Sequence, residues 1–144
     1  MERYKSAEKI ILHSAAEVFG WISDLNKLDF FKEKIEEIQG VKNFAIGDQT
    51  LSFDTDFVGK VSLALAEVRP YSAVAYTVKT ALKDADIQID LKGLAENETA
   101  MTLSLKADMP VFLKMMLGNK LSEGIEKMAD KLAAALNAIR SNEQ

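Results

Sequence analysis

The chain has 144 residues, of which 48% are hydrophobic and 28% charged, and it carries 18 Lys and Arg against 22 Asp and Glu. That composition suits a single soluble domain, spanning 1–144, with one sizeable core. A net charge of -4 with scattered lysines argues against nucleic-acid binding, and the lack of cysteine excludes disulfides, thiol catalysis and Cys-ligated metal or iron–sulfur sites.

The opening "MERYKSAEK" is charged and has no signal-peptide apolar core, and no run reaches the length of a membrane span, so a cytoplasmic location is expected. Lys9–Leu12 reads as a short first strand. Ser14 and Glu17 then have the spacing of a capping box, ahead of Val18, Ile22 and Leu25 at helical intervals. This predicts an amphipathic helix of about three turns. Gly20 inside it suggests close approach of another backbone. "LDFFKEK" reads as a second short helix carrying Phe30 and Phe31.

The period then changes to two. "IEEIQGVKNFAIGDQT" is read as a strand bent near Gly40. In "TLSFDTDF", Leu51, Phe53, Thr55 and Phe57 share a face opposite Ser52, Asp54 and Asp56. "VSLALAEV" and "AVAYTVK" follow, separated by a turn at Arg69–Ser72. "DIQIDLK" alternates Ile87, Ile89 and Leu91 against Asp86, Gln88 and Asp90, and "TAMTLSLKA" puts Met101, Leu103 and Leu105 together. The total is about seven strands, the last six consecutive.

The last segment changes character partway. From Leu121, the residues Ile125, Met128, Leu132, Leu136 and Ile139 form one narrow stripe that can lie across a sheet. Val111–Leu117 is apolar nearly all round and out of phase with that stripe, so a break is expected at Gly118-Asn119. The order is strand, helix pair, meander, long helix: an α+β architecture in which a curled antiparallel sheet wraps the C-terminal helix.

Three stretches, "IILHSAAEVFGWISDLNKL", "EVRPYSAVAYTV" and "LSEGIEKMADKLAAAL", resemble the opening strand and capped helix, the Pro-containing turn and the closing helix of the START/polyketide-cyclase (SRPBCC, Bet v 1-like) superfamily. The likeness runs in order through nearly the whole chain. It implies the helix-grip fold and a cavity between sheet and terminal helix, used by members for lipids, sterols, hormones or polyketide intermediates. A few members catalyse cyclisation or dehydration, and others serve as interaction modules.

The residues themselves nominate a ligand-binding lining and no catalytic group. Phe53, Thr55, Phe57, Tyr76, Ile89 and Leu103 would come from the sheet, and Phe30 and Phe31 from the short helix. Phe112, Met115 and Met116 would cover the mouth as a lid, unless they pack as ordinary core or form an interface. Tyr76 either orients a ligand or is a core tyrosine with a satisfied tip. The single histidine, His13, reads as a surface or cap-region residue, without a catalytic relay around it. The carboxylate pairs Asp54/Asp56 and Asp86/Asp90 read as a solvated outer face, and no metal site or cofactor is expected. Asn97-Glu98-Thr99 matches a glycosylation acceptor that means nothing without a secretory signal. The expected function is binding of a small, mainly hydrophobic, lipid- or polyketide-like molecule. The alternatives are a cyclase or dehydratase, or a protein-interaction module with a filled core. A second copy of the chain is a further candidate partner.

Overall fold

The computed structural model describes residues 2–56, 58–117 and 119–139. Strand β1 (Glu2–Lys5) and β2 (Lys9–Ile11) lead to helix α1 (Ala15–Ile22), a 3-10 helix (Leu25–Phe31) and one turn of α-helix, α2 (Lys32–Ile35). Strands β3 (Val41–Gly47), β4 (Thr50–Thr55), β5 (Gly59–Arg69), β6 (Ala73–Lys79), β7 (Ala85–Ala95) and β8 (Glu98–Ala107) follow. Helices α3 (Val111–Leu117) and α4 (Lys120–Ala138) complete the order.

The strands form one antiparallel sheet in the order β1-β8-β7-β6-β5-β4-β3, with β2 also paired to β8. The meander β3 to β8 is the one expected; its free β8 edge is covered by β1 and β2. Between them the first segment advances from Lys5 to Lys9 while β8 goes only from Ser104 to Met101, a gain of one residue. Ser6 bridges this jog: its N–H donates to the Leu103 carbonyl at 2.8 Å, and its hydroxyl accepts from the Leu103 N–H at 3.0 Å. The ladder therefore stays satisfied through the irregularity. Register shifts also interrupt β3/β4, β5/β6 and β7/β8. Each bulge increases local twist, which helps the sheet curl around α4.

Local signals determine the first helix. The Ser14 hydroxyl accepts from the Glu17 N–H at 3.1 Å, and the Glu17 carboxylate accepts from the Ser14 N–H at 3.1 Å, so both arms of the capping box are made. The helix is shorter than expected because Asp24 caps a new 3-10 segment, accepting from the Asn26 N–H at 3.0 Å. Gly20 has a different setting from the one inferred: a Cβ there would meet nothing within 4 Å, so no neighbouring backbone requires the glycine. The segment read as a strand from Ile35 is also corrected. Ile35 ends α2, Ile35 and Ile38 face the core from a helical turn, and Gly40 at φ 86° turns the chain into β3.

The inward faces match the alternations. Leu51 and Phe53; Ile87, Ile89 and Leu91; and Met101, Leu103 and Leu105 are all buried. Helix α4 lays Ile125, Leu132 and Leu136 on them, with Ala129, Ala133 and Ala135 allowing close approach. At one flank Lys9 of β2 pairs with Asp130 at 2.6 Å and with Glu126, which fixes α4 against the strand. Asp130 and Glu126 as acceptors hold the Lys9 ammonium above the ordinary lysine range. At the other flank Lys131 pairs with Glu37 at 2.8 Å.

The apolar run 111–117 and the stripe beginning at Leu121 belong to separate helices, α3 and α4, as the change of phase demands. Gly118 itself lies outside the described residues.

Candidate ligand cavity

The curl of the sheet leaves space beneath α4. The larger void, about 160 Å³, has a floor of Phe53, Val61, Val78, Ile87 and Leu105 from the sheet and Ile125 from α4. Leu113 and Leu117 of α3 form part of its wall, with Val58 from the turn before β5. Its exposed members are Gln39, Leu82, Lys83 and Lys120, which mark the mouth. A second void of about 50 Å³ lies deeper in the core, against Phe31, Leu51, Tyr76, Ile89 and Leu103. Ile87 from the sheet and Met128 from α4 line both, so these two side chains form the partition. For scale, a dry apolar cavity of ~150 Å³ is large enough to bind benzene.

The nominated residues divide into three groups. Phe53 and Thr55 border the larger void; Phe31, Tyr76, Ile89 and Leu103 border the smaller one. Phe30 is half-buried against the core and lines neither. Phe112, Met115 and Met116 point outward, with 62–79% of their surfaces exposed. The inner face of α3 is instead Leu113 and Leu117, one helical turn apart and both buried. A helix apolar on every side carries no phase in its sequence, so packing alone decides which face turns in. The pair Lys114–Glu2, linking α3 to β1, joins the helix to the sheet edge. Phe57 lies outside the described residues.

Both polar candidates on the sheet are committed within the protein. The Tyr76 hydroxyl donates to the carbonyl of Ile22, one of the last-turn acceptors of α1 that no helical N–H reaches. Burial raises its pKa far above the ordinary tyrosine value. The Thr55 hydroxyl donates to the Gly59 carbonyl at 3.0 Å and accepts from the Val58 N–H at 3.1 Å, closing the β4–β5 turn. Replacing Tyr76 with Phe leaves the buried Ile22 carbonyl without its donor, at an expected cost of about 1–3 kcal/mol near neutral pH. The alkaline limb gives a sharper signature. Above pH ~10 the unfolded chain loses the Tyr76 proton while the folded chain keeps it, so stability falls as pH rises, approaching about 1.4 kcal/mol per pH unit. Tyr76→Phe should lack that component, and urea unfolding of both proteins from pH 9 to 11.5 should show their stability difference narrowing.

His13 lies in the cap region, next to the N-cap Ser14, but not at the surface, so the surface arm of its expected position is corrected. It is 4% exposed, with the Trp21 ring edge-on at a centroid distance of 4.9 Å. Its carbonyl accepts from the buried Thr99 hydroxyl at 2.8 Å. The alternation of buried Ile11, exposed Leu12 and buried His13 continues β2 into the helix cap. His13 lines neither void. On the outer side of the sheet, Asp54 accepts from the Asn43 side-chain amide at 2.8 Å and Asp90 from that of Gln88 at 2.8 Å. Among the described residues no three His, Asp or Glu side chains gather into a metal-holding group, and no helix is long and apolar enough to cross a membrane.

The architecture is the helix-grip fold, a curled antiparallel sheet wrapped around the long C-terminal helix α4. No protein-family model and no curated protein matches the chain by sequence. Solved structures match it by shape. A truncated norcoclaurine synthase from Thalictrum flavum superposes with a TM-score of 0.74 over 96% of this chain and 95% of that one, at 11% identity. A conserved protein from Geobacillus kaustophilus gives 0.63 over 94% and 95%, at 14% identity. DynU16, from the dynemicin biosynthetic locus, gives 0.60 at 13% identity; it is matched by 96% of this chain, which spans 48% of DynU16.

Proposed function

We propose that residues 1–144 act as one unit that binds a small, mainly apolar molecule beneath α4, with α3 as the movable cover. The observation that carries this reading is the void of about 160 Å³, whose floor is aliphatic and aromatic and whose polar side chains stand at the rim or in turns. Burial of ligand carbon there contributes roughly 25 cal/mol per Å² before ordering costs. The deeper void beside Tyr76, Ile89 and Leu103 would admit the end of a longer ligand if Met128, an unbranched and adaptable side chain, swung aside. The norcoclaurine synthase likeness lends a cyclase-type enzyme some weight as an alternative, but that likeness rests on fold alone. The binding reading draws on the cavity itself, whose ionisable lining groups among the described residues are Lys83 and Lys120 at the mouth.

A cover must open, and α3 has the means: seven residues, two of them buried, followed by a separate helix. Amide hydrogen exchange is expected to be faster across 111–117 than across 121–136, and 1-octanol should slow it at 111–117. Uniformly slow exchange along both helices, unchanged by the alcohol, would refute the cover.

A further inference from the structure

Among the described residues, every ionisable side chain lining the larger void is a lysine. Lys83 reaches it from the β6–β7 turn and Lys120 from the first turn of α4, and no Asp or Glu among the described residues joins them. Both lysines are exposed, and among the described residues neither takes part in an ion pair, whereas Lys9, Lys32, Lys34, Lys114 and Lys131 all do. The turn that carries Lys83 is pinned. The Thr80 hydroxyl accepts from the N–H groups of Leu82 at 3.2 Å and Lys83 at 3.0 Å, and it donates to the Lys83 carbonyl at 2.8 Å. Thus one positive group stands on a fixed turn and the other on a helix end, both at the opening of an apolar chamber. Gln39 adds an amide at the same rim.

We infer that the ligand is an amphipathic anion, an apolar body with one acidic head, held with the head at the mouth between Lys83 and Lys120. This rests on the binding reading above and adds the class of molecule. Apolar burial provides most of the affinity, while the lysine pair provides orientation and preference for the acid over neutral molecules of equal length. A lysine ammonium suits this role because it is a compact charge on a flexible stem, able to follow a head group at a solvent boundary.

The test compares octanoate with 1-octanol by calorimetric titration, in the wild-type chain and in a Lys83→Gln/Lys120→Gln double variant. Both lysines are exposed, so the variant should fold as the parent does. Octanoate is expected to bind the wild type about five- to tenfold tighter than the alcohol at low salt, a preference of the size that solvent-exposed charge pairs provide. That preference should shrink on raising the salt and disappear in the double variant, with octanol affinity unchanged in both cases. Equal affinity for acid and alcohol in the wild type would overturn the inference and leave the apolar-binding reading standing. A preference that survives in the double variant would overturn it as well, since the lysines would not be its source. No binding of either molecule would remove the binding reading and this inference together.

Discussion

Leu136→Ala is expected to destabilise the protein by about 3–5 kcal/mol, a large share of the ~5–15 kcal/mol typical of a whole domain. Leu136 has no exposed surface and sits on the stripe of α4 that crosses the sheet, away from either void. Removing its side chain opens a cavity in close-packed surroundings that have little room to collapse. Leu121→Ala on the same helix should cost distinctly less. Leu121 is half-buried and borders the larger void, so its side chain has fewer packed neighbours to lose. Urea midpoints for the two variants check the contrast. Equal losses would mean that the space beneath α4 is filled as tightly as the rest of the core.

Gly124→Leu is expected to do the opposite: keep or raise stability and abolish most ligand affinity. Gly124 lies on the helical face shared by Leu121 and Met128, it borders the larger void, and a Cβ there meets nothing within 4 Å. A glycine inside a helix costs ~1 kcal/mol relative to alanine, so the position sacrifices stability where a side chain would occupy the chamber. A leucine at 124 would take up the space of several ligand carbons. At about 0.8 kcal/mol per buried CH₂, losing room for three of them amounts to roughly fifty-fold in affinity. Gly124→Ala should show the stability gain with a smaller loss of binding. Thermal unfolding and a titration with 1-octanol measure both quantities on the same samples. Unchanged octanol affinity in Gly124→Leu would place the ligand elsewhere.

Much of the scaffold is legible because its signals are local. Ser14 and Glu17 form their box within one turn, Ile87, Ile89 and Leu91 alternate along one strand, and Ile125 to Leu136 repeat along one helix. The misread elements are those in which tertiary contacts decide. Glu2–Lys5 has no apolar alternation of its own and is a strand because β8 offers it an open edge. Ile35–Gln39 read equally well as a strand, but Ile35 and Ile38, three residues apart, serve a helical turn. His13 is in the cap region as read, but it is buried and not at the surface, because the strand period carries one position further, from buried Ile11 past exposed Leu12.

The candidate site was legible only in part. Phe53, Thr55, Tyr76, Ile89 and Leu103 follow from the faces of their strands, and they do lie on the two voids. The partition by Ile87 and Met128 depends on how far the sheet curls, which no local pattern encodes. The α3 residues were nominated by their apolar character, yet Leu113 and Leu117 turn inward while Phe112, Met115 and Met116 face out. Lys83 and Lys120 lie far apart in the chain and would be passed over as surface lysines. Gly124, beside Leu121 and Ile125 near the start of α4, also borders the larger void, and the apolar stripe alone does not point to it.

The central claim is that the space under α4 is a binding chamber, and direct titration with an apolar molecule tests it most plainly. Calorimetry with 1-octanol at several temperatures should show saturable binding of one molecule per chain. The heat-capacity change should be negative, the mark of apolar surface leaving water. Heats no larger than those of dilution at every temperature, with melting behaviour unmoved by the alcohol, would contradict it.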